Sequence, residues 1–199
     1  MLAKHKHLLY WIYSICTLGV LIFSPAHADS RSVFQGNFLI ASEQMQGTAF
    51  DSAVIYVTKD GEHGTYGLIV NRPTGIALKE IFPENIHPHA SDDIYFGGPQ
   101  HAQFIFTLAQ TEPQENLHNV AGDIFIGAGN EILDKLMRDK SHPKVRAFAG
   151  FASWAPGQLE EQLKSGDWVV APGNPHQLFD TKPDEMWKML YKHWGGSWL

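Results

Sequence analysis

Gly150-Phe151-Ala152-Ser153-Trp154-Ala155-Pro156-Gly157-Gln158-Leu159-Glu160 decides how the chain is read, because it runs from an apolar segment into an amphipathic one. Upstream, Val145 to Phe151 has the β-branched and aromatic content of a central strand. Downstream, Pro156 suits the first turn of a helix, Leu159 and Leu163 fall on one face, and Gly166 can take the left-handed conformation that ends it. Ser153 is expected to cap that helix and Trp154 to pack under the turn, with Gln158 or Glu161 bonding back to the exposed amides at the helix start.

Working outward, Trp168-Val169-Val170-Ala171 reads as the next strand, and a last helix is expected near Pro183 to Lys192. Asp184 and Glu185 in its first turn and Lys188 and Lys192 toward its end complement the helix dipole. Toward the N-terminus, Phe38-Leu39-Ile40-Ala41 looks like the first strand. Ala53 to Val57 and Tyr66 to Val70 form an expected hairpin, turned at the Asp60-Gly61 step. Pro73 cannot donate to a ladder, so that strand should end near Asn71 and Arg72, with a short helix over Ala77 to Phe82. Ile94 to Phe96 and Phe104 to Leu108 are strands on either side of Gly97-Gly98-Pro99. Residues 109 to 120 read as a polar surface loop, Ile124 to Ile126 resumes strand character, and Asn130 is expected to cap a helix over Glu131 to Arg138. Strands outnumber helices and come in hairpin-like pairs, so the class is α+β in a single domain, with no internal repeat to suggest otherwise.

The N-terminus reads as an export signal over residues 1–28. Lys4 and Lys6 supply positive charge, Leu8 to Phe23 is a largely apolar run of 16 residues, and Ala26-His27-Ala28 fits the small-x-small cleavage pattern. The alternative is an uncleaved inner-membrane anchor. Cleavage would leave 171 residues as one domain, residues 29–199, without Cys16, the sole cysteine. Disulfide and thiol chemistry would then be excluded. It would also take the formal charge from −6 to about −8, because it removes two lysines and no acid. The basic residues are scattered, and the largest group, Arg138, Lys140, Lys144 and Arg146, is interrupted by Asp139, so nucleic acid is not an expected partner.

Few side-chain clusters carry recognisable chemistry. Ser153 lacks the flanking glycines of a hydrolase elbow. His87-Pro88-His89 with Asp92, Asp93 and His101 resembles a metal cluster only in composition, so no metal is expected. Gly127-Ala128-Gly129 follows a strand and precedes a helix, but Ile132 stands where a dinucleotide fingerprint needs its third glycine, so no cofactor is expected either. Asn71-Arg72 could present an amide and a guanidinium to a carboxylate or phosphate, or could simply fix a turn before Pro73. Gly97-Gly98 could cradle an anion or permit a tight reversal.

Gly67-Leu68-Ile69-Val70-Asn71-Arg72-Pro73, Phe96-Gly97-Gly98-Pro99, the Gly150 to Glu160 block, Trp168, Pro172, Leu178-Phe179-Asp180 and Trp187 occur in an order that closely resembles the YqgE/AlgH family, from about Gly36 to about Leu190. The resemblance implies one compact domain with a bent, partly barrel-like mixed sheet flanked by helices. It implies no reaction, because no biochemical activity is established for the family. Phe151 stands where tyrosine is typical, Ser42-Glu43 replaces a common Met-Pro, and the signal-like N-terminus is unusual for relatives that generally look cytosolic.

The expectation is therefore an exported, periplasmic or secreted, noncatalytic binding or accessory protein. Its ligand or partner surface would be built around Asn71, Arg72, Gly97, Gly98, Trp154, Gln158 and Glu161. The partner would be a small molecule or a protein, with membrane contact only through an uncleaved N-terminal segment. Two alternatives stand beside it: an enzyme using Glu160 or Glu161 near Arg72, and a transcriptional regulator, which the export signal and acidic charge disfavour.

Overall fold

A computed structural model describes residues 34–81, 83 and 92–196. The signal-like segment with Cys16, and the His87-Pro88-His89 part of the histidine cluster, lie outside the described residues. Ten strands form one sheet: β1 Asn37–Ala41, β2 Val54–Gly61, β3 Gly64–Ile69, β4 Pro73–Ala77, β5 Asp93–Phe96, β6 Gln100–Gln110, β7 His118–Ala121, β8 Ile124–Ala128, β9 Lys144–Trp154 and β10 Trp168–Pro172. Among the described residues five α-helices accompany them, α1 Leu78–Ile81, α2 Asn130–Met137, α3 Gln158–Lys164, α4 Pro175–Asp180 and α5 Pro183–Trp194, with a short 3-10 helix over Glu43–Met45. The strand order is β10-β1-β2-β3-β9-β6-β8-β7, with β5 joining β9 and β4 joining β5. Every pairing is antiparallel except β5 on β9. The fold is a curled half-barrel of α+β class, as expected.

Strand β9 organises this sheet. Its first half pairs with β6 on one side and β5 on the other, and its last three residues pair with β3. The sheet curls far enough for residues just before β1 to reach β7: the Gln35 side-chain amide donates to the Val120 carbonyl at 3.0 Å. The inside of the curl holds the largest core, where Phe38, Tyr56, Leu68, Leu108, Ile124 and Phe148 meet Leu178 of α4 and Met186 and Leu190 of α5. The outer face carries two smaller cores. Leu39, Ile55, Ile69 and Trp154 are covered by Leu159 of α3, and Ala147 and Ile94 by Leu133 and Met137 of α2. Because strands such as β1 and β2 are buried on both faces, they read as continuous apolar runs rather than as alternating ones.

Several expectations are corrected. Asp60 and Gly61 belong to β2, and the hairpin turns instead at Glu62 and His63, since Gly61 pairs with Gly64. Pro73 opens β4 and faces Tyr95, a strand-end position where its missing N–H costs no ladder bond. The loop expected over 109–120 shrinks at both ends, because β6 runs to Gln110 and β7 begins at His118. Asn130 is the first residue of α2, and Gly129, with φ of 98°, precedes it without a side-chain cap. Helix α4 was not anticipated; Asn174 caps it, its side-chain oxygen accepting from the His176 amide at 2.9 Å. Among the described residues, no helix is long and apolar enough to cross a membrane.

Candidate functional site

The site begins with a crossing. Because β5 and β6 lie on opposite edges of β9, the chain between them must pass over it, and Gly97-Gly98-Pro99 does so at Gly150. The Gly97 N–H donates to the Ala149 carbonyl at 2.8 Å, and its own carbonyl accepts from Ile69 at 2.9 Å. A side chain on Gly98 would overlap the Phe151 backbone, and one on Gly150 would meet the carbonyls of Gly98 and Gln100. Gly150 also sits at φ of 70°, a left-handed conformation that a Cβ disfavours. Both glycines are thus required for close approach, and no anion is needed to explain them.

The crossing reorients β9. Before Gly150, Phe148 points into the inner core, while Val145, Ala147 and Ala149 face α2. After it, Phe151 is the residue packed on the inner core, and Ala152 and Trp154 face α3. The single left-handed glycine therefore shifts the alternation by one residue, as a bulge does, and turns Phe151 toward the mouth of the curl.

Phe151 becomes the hub of an aromatic floor there. Its ring lies 5.4 Å from Phe106, edge to face, and 5.7 Å from Tyr66. His101, on a four-residue excursion of β6 between Gln100 and Ile105, stacks on it at 5.7 Å. The Tyr66, Phe106 and Phe151 rings floor a cleft of about 500 Å3 between the β2–β3 hairpin and strands β6, β7 and β8. Ile126 adds apolar wall, and Gln35, Thr58, Lys59, His118 and Asn119 form a polar rim. A register shift in β2 between Val57 and Lys59 brings both Thr58 and Lys59 to the lining. Half-buried rings in a barrel mouth under a polar rim are the ordinary make-up of a small-molecule site.

Much of the rim is already engaged. The amide of Gln35 donates to Val120, that of Asn119 donates to Gly122 at 2.8 Å, and the Thr58 hydroxyl donates to the Tyr66 carbonyl at 3.3 Å. Lys59 is exposed, and among the described residues its ammonium has no hydrogen-bond or ion-pair partner. Asp60 beside it is occupied, accepting from the Phe34 amide at 3.1 Å and the Thr65 hydroxyl at 2.7 Å.

The residues singled out from sequence fall in two places. Asn71 clamps β2: its oxygen accepts from the Val54 amide and its nitrogen donates to the Ser52 carbonyl, both at 2.9 Å. Arg72 donates to the carbonyls of Ala49 at 2.6 Å and Asp51 at 2.8 Å. Burial lowers its pKa from the usual arginine range, with Asp51 opposing. The Arg72 carbonyl accepts from Phe96, so this clamp adjoins Gly97 and Gly98. Trp154, Gln158 and Glu161 form the other group, at the start of α3. Gln158 accepts from the Ala155 amide at 3.0 Å, the back-bond expected of it. Glu161 is exposed. Ser153 does not cap α3; it lies within β9 opposite Tyr66, and Gly157 precedes the helix in left-handed conformation. Among the described residues, Arg72, Glu160 and Glu161 line none of five surface clefts.

Two organising side chains were missed. Gln162 Oε1 accepts both the Trp154 and Trp168 indole N–H groups, each at 2.8 Å, and the two rings pack edge to face. Two buried tryptophans, each needing an acceptor, were the available signal. Arg146 lies 4.5 Å over the Tyr95 ring and donates to the carbonyls of Leu178, Phe179 and Val70. Burial lowers its pKa, while Tyr95, Asp92 and Asp180 oppose that shift. It lines a second cleft of about 560 Å3, together with Asp92, Asp93, Lys144 and Asp180. There the cations are spent internally, Lys144 pairing with Asp180 at 2.7 Å. Among the described residues, no group of three or more His, Cys, Asp or Glu could hold a metal ion.

A family model described as AlgH-like matches residues 38–199. A UPF0301 protein of Idiomarina loihiensis is 30% identical over 171 residues, covering 81% of this chain and 91% of its own length. One from Chromobacterium violaceum is 32% identical, covering 75% and 83%. The solution structure of the AlgH protein from Pseudomonas aeruginosa is similar with a TM-score of 0.64 at 28% identity, covering 79% of this chain and 86% of that one. A crystal structure of a Corynebacterium diphtheriae protein gives 0.63 at 26% identity, covering 80% and 86%.

Proposed function

The chain belongs to the AlgH-like family, for which no biochemical activity is established, and from that premise we propose that it is an exported, noncatalytic binding protein holding a small molecule in the barrel-mouth cleft. The observation that carries the reading is the aromatic floor: Tyr66, Phe106 and Phe151 converge, half-buried, under a polar rim that holds one unengaged cation. Asn71, Arg72, Gly97, Gly98, Trp154, Gln158 and Glu161 enter this proposal in a supporting role. Asn71 and Arg72 fix the start of β2, Gly97 and Gly98 the β9 crossing, and Trp154 and Gln158 the start of α3, while Glu161 is exposed on that helix. Export is supported by Lys4, Lys6, the Leu8 to Phe23 run and Ala26-His27-Ala28, all N-terminal to the family match.

The test has two arms. Titration with neutral 2-naphthamide, followed by NMR, should shift the ring signals of Tyr66, Phe106 and Phe151 with a dissociation constant on the order of 1 mM, the affinity expected of an open cleft and a ligand of this size. Unmoved ring signals would sink the binding reading. Fractionation with mass spectrometry of the mature N-terminus should find a periplasmic or secreted chain beginning at Asp29; a wholly cytosolic chain that retains Met1 would contradict export.

A further inference from the structure

Resting on the reading of the barrel-mouth cleft as a binding site, we infer that its ligand class is a planar aromatic ring bearing a single carboxylate, the ring seated on Phe151 and the carboxylate paired with Lys59. The ring half of the inference comes from the floor. Within the cleft lining the Phe106 and Phe151 rings meet edge to face at 5.4 Å and Tyr66 tilts against Phe151 at 5.7 Å, so a flat ligand can continue the same pattern of aromatic contacts. A saturated ring has no π-face to offer and would recover only the burial of apolar area.

The charge half comes from the rim. This is an acidic protein, with 21 Asp and Glu against 15 Lys and Arg, yet among the described residues no acidic side chain lines the cleft. Among the described residues its single permanent charge is Lys59, and Asp60 next to it is occupied by Phe34 and Thr65. The neutral rim amides are engaged with backbone carbonyls, so they add little capacity for a second negative charge. One free ammonium matches one carboxylate. A phosphomonoester, with nearly two charges, would leave part of its charge uncompensated.

The experiment compares four ligands of similar size on the whole protein by NMR titration: 2-naphthoate, neutral 2-naphthamide, cationic 2-naphthylmethylammonium and saturated decahydro-2-naphthoate. The inference predicts that 2-naphthoate binds about fivefold tighter than the amide at low salt, the span of a solvent-exposed ion pair, and that the preference shrinks as salt is added. Lys59→Gln should erase the preference while leaving amide binding within about twofold. Because Lys59 is exposed, that variant is not expected to disturb folding. The decahydro ligand should bind several-fold more weakly than 2-naphthoate. Equal affinity for naphthoate and naphthamide, or a preference for the ammonium ligand, would overturn the inference yet leave the binding cleft standing. Equal affinity for the saturated ring would overturn its aromatic half. Failure of all four to move the Tyr66, Phe106 and Phe151 signals would overturn the cleft as a site altogether.

Discussion

Phe148 and Phe151 lie three residues apart on β9 and yet pack on the same core. An unbroken strand forbids this, because its side chains alternate with a period of two. Gly150, left-handed and pressed against Gly98 and Gln100, supplies the missing half step. That one backbone conformation turns Phe151 into the aromatic cleft.

Gly150→Ala should therefore be costly. Placing a Cβ in left-handed backbone and against two carbonyl oxygens should cost about 3 kcal/mol by urea denaturation. Gly61→Ala is the matched control. Its Cβ would meet nothing within 4 Å, and it should change stability by less than about 0.5 kcal/mol. Equal costs at the two positions would mean that the crossing is not the constraint described.

Gln162→Ala should leave two buried indole donors without their acceptor. At about 1–3 kcal/mol for each unsatisfied buried group, the expected loss is about 2–6 kcal/mol. The same substitution made in a Trp154→Phe, Trp168→Phe background should cost far less, since the donors are gone. A similar cost in both backgrounds would assign the effect to packing instead.

The sequence made some of this fold legible and hid the rest for identifiable reasons. Apolar runs such as Phe38 to Ala41 were readable because both faces of the sheet are covered, so burial leaves a continuous signature. Gly166 was readable as the end of α3, where it sits at φ of 78°, because helix termination is local chemistry. Strand β7 was not readable. His118 and Asn119 are exposed, and only pairing with β8 makes them a strand. The half-step at Gly150 was hidden as well, since a glycine in a strand announces an irregularity but not its phase. The cleft is the extreme case. Tyr66, Phe106, His118 and Phe151 come from four strands, and nothing local joins them. Asn71 and Arg72 are conspicuous because turns and crossings concentrate unusual residue types, and the structure commits both side chains to the backbone.

Alkaline pH should expose the burial of Tyr56. Desolvation, and secondarily the charge of Asp123, raises its pKa well above that of an ordinary tyrosine. Tyr95 shifts in the same direction, chiefly through burial. A raised folded-state pKa means the stability is fully present below the unfolded value, about 10, and is lost as pH climbs from there toward the folded value. Stability measured by urea between pH 9 and 11.5 should fall, and Tyr56→Phe should make the fall shallower above pH 10 by about 1.4 kcal/mol per pH unit. An unchanged slope would contradict the burial of that hydroxyl.

The half-step itself is measured most directly by nuclear Overhauser contacts from the Phe151 ring. The account predicts cross-peaks from Phe151 to Tyr66 and to Phe106, whose ring centroids lie 5.7 Å and 5.4 Å away. Cross-peaks from Phe151 to Leu159 or Ile69 on the outer face, with none to Phe106, would show that β9 alternates without interruption and would contradict the account.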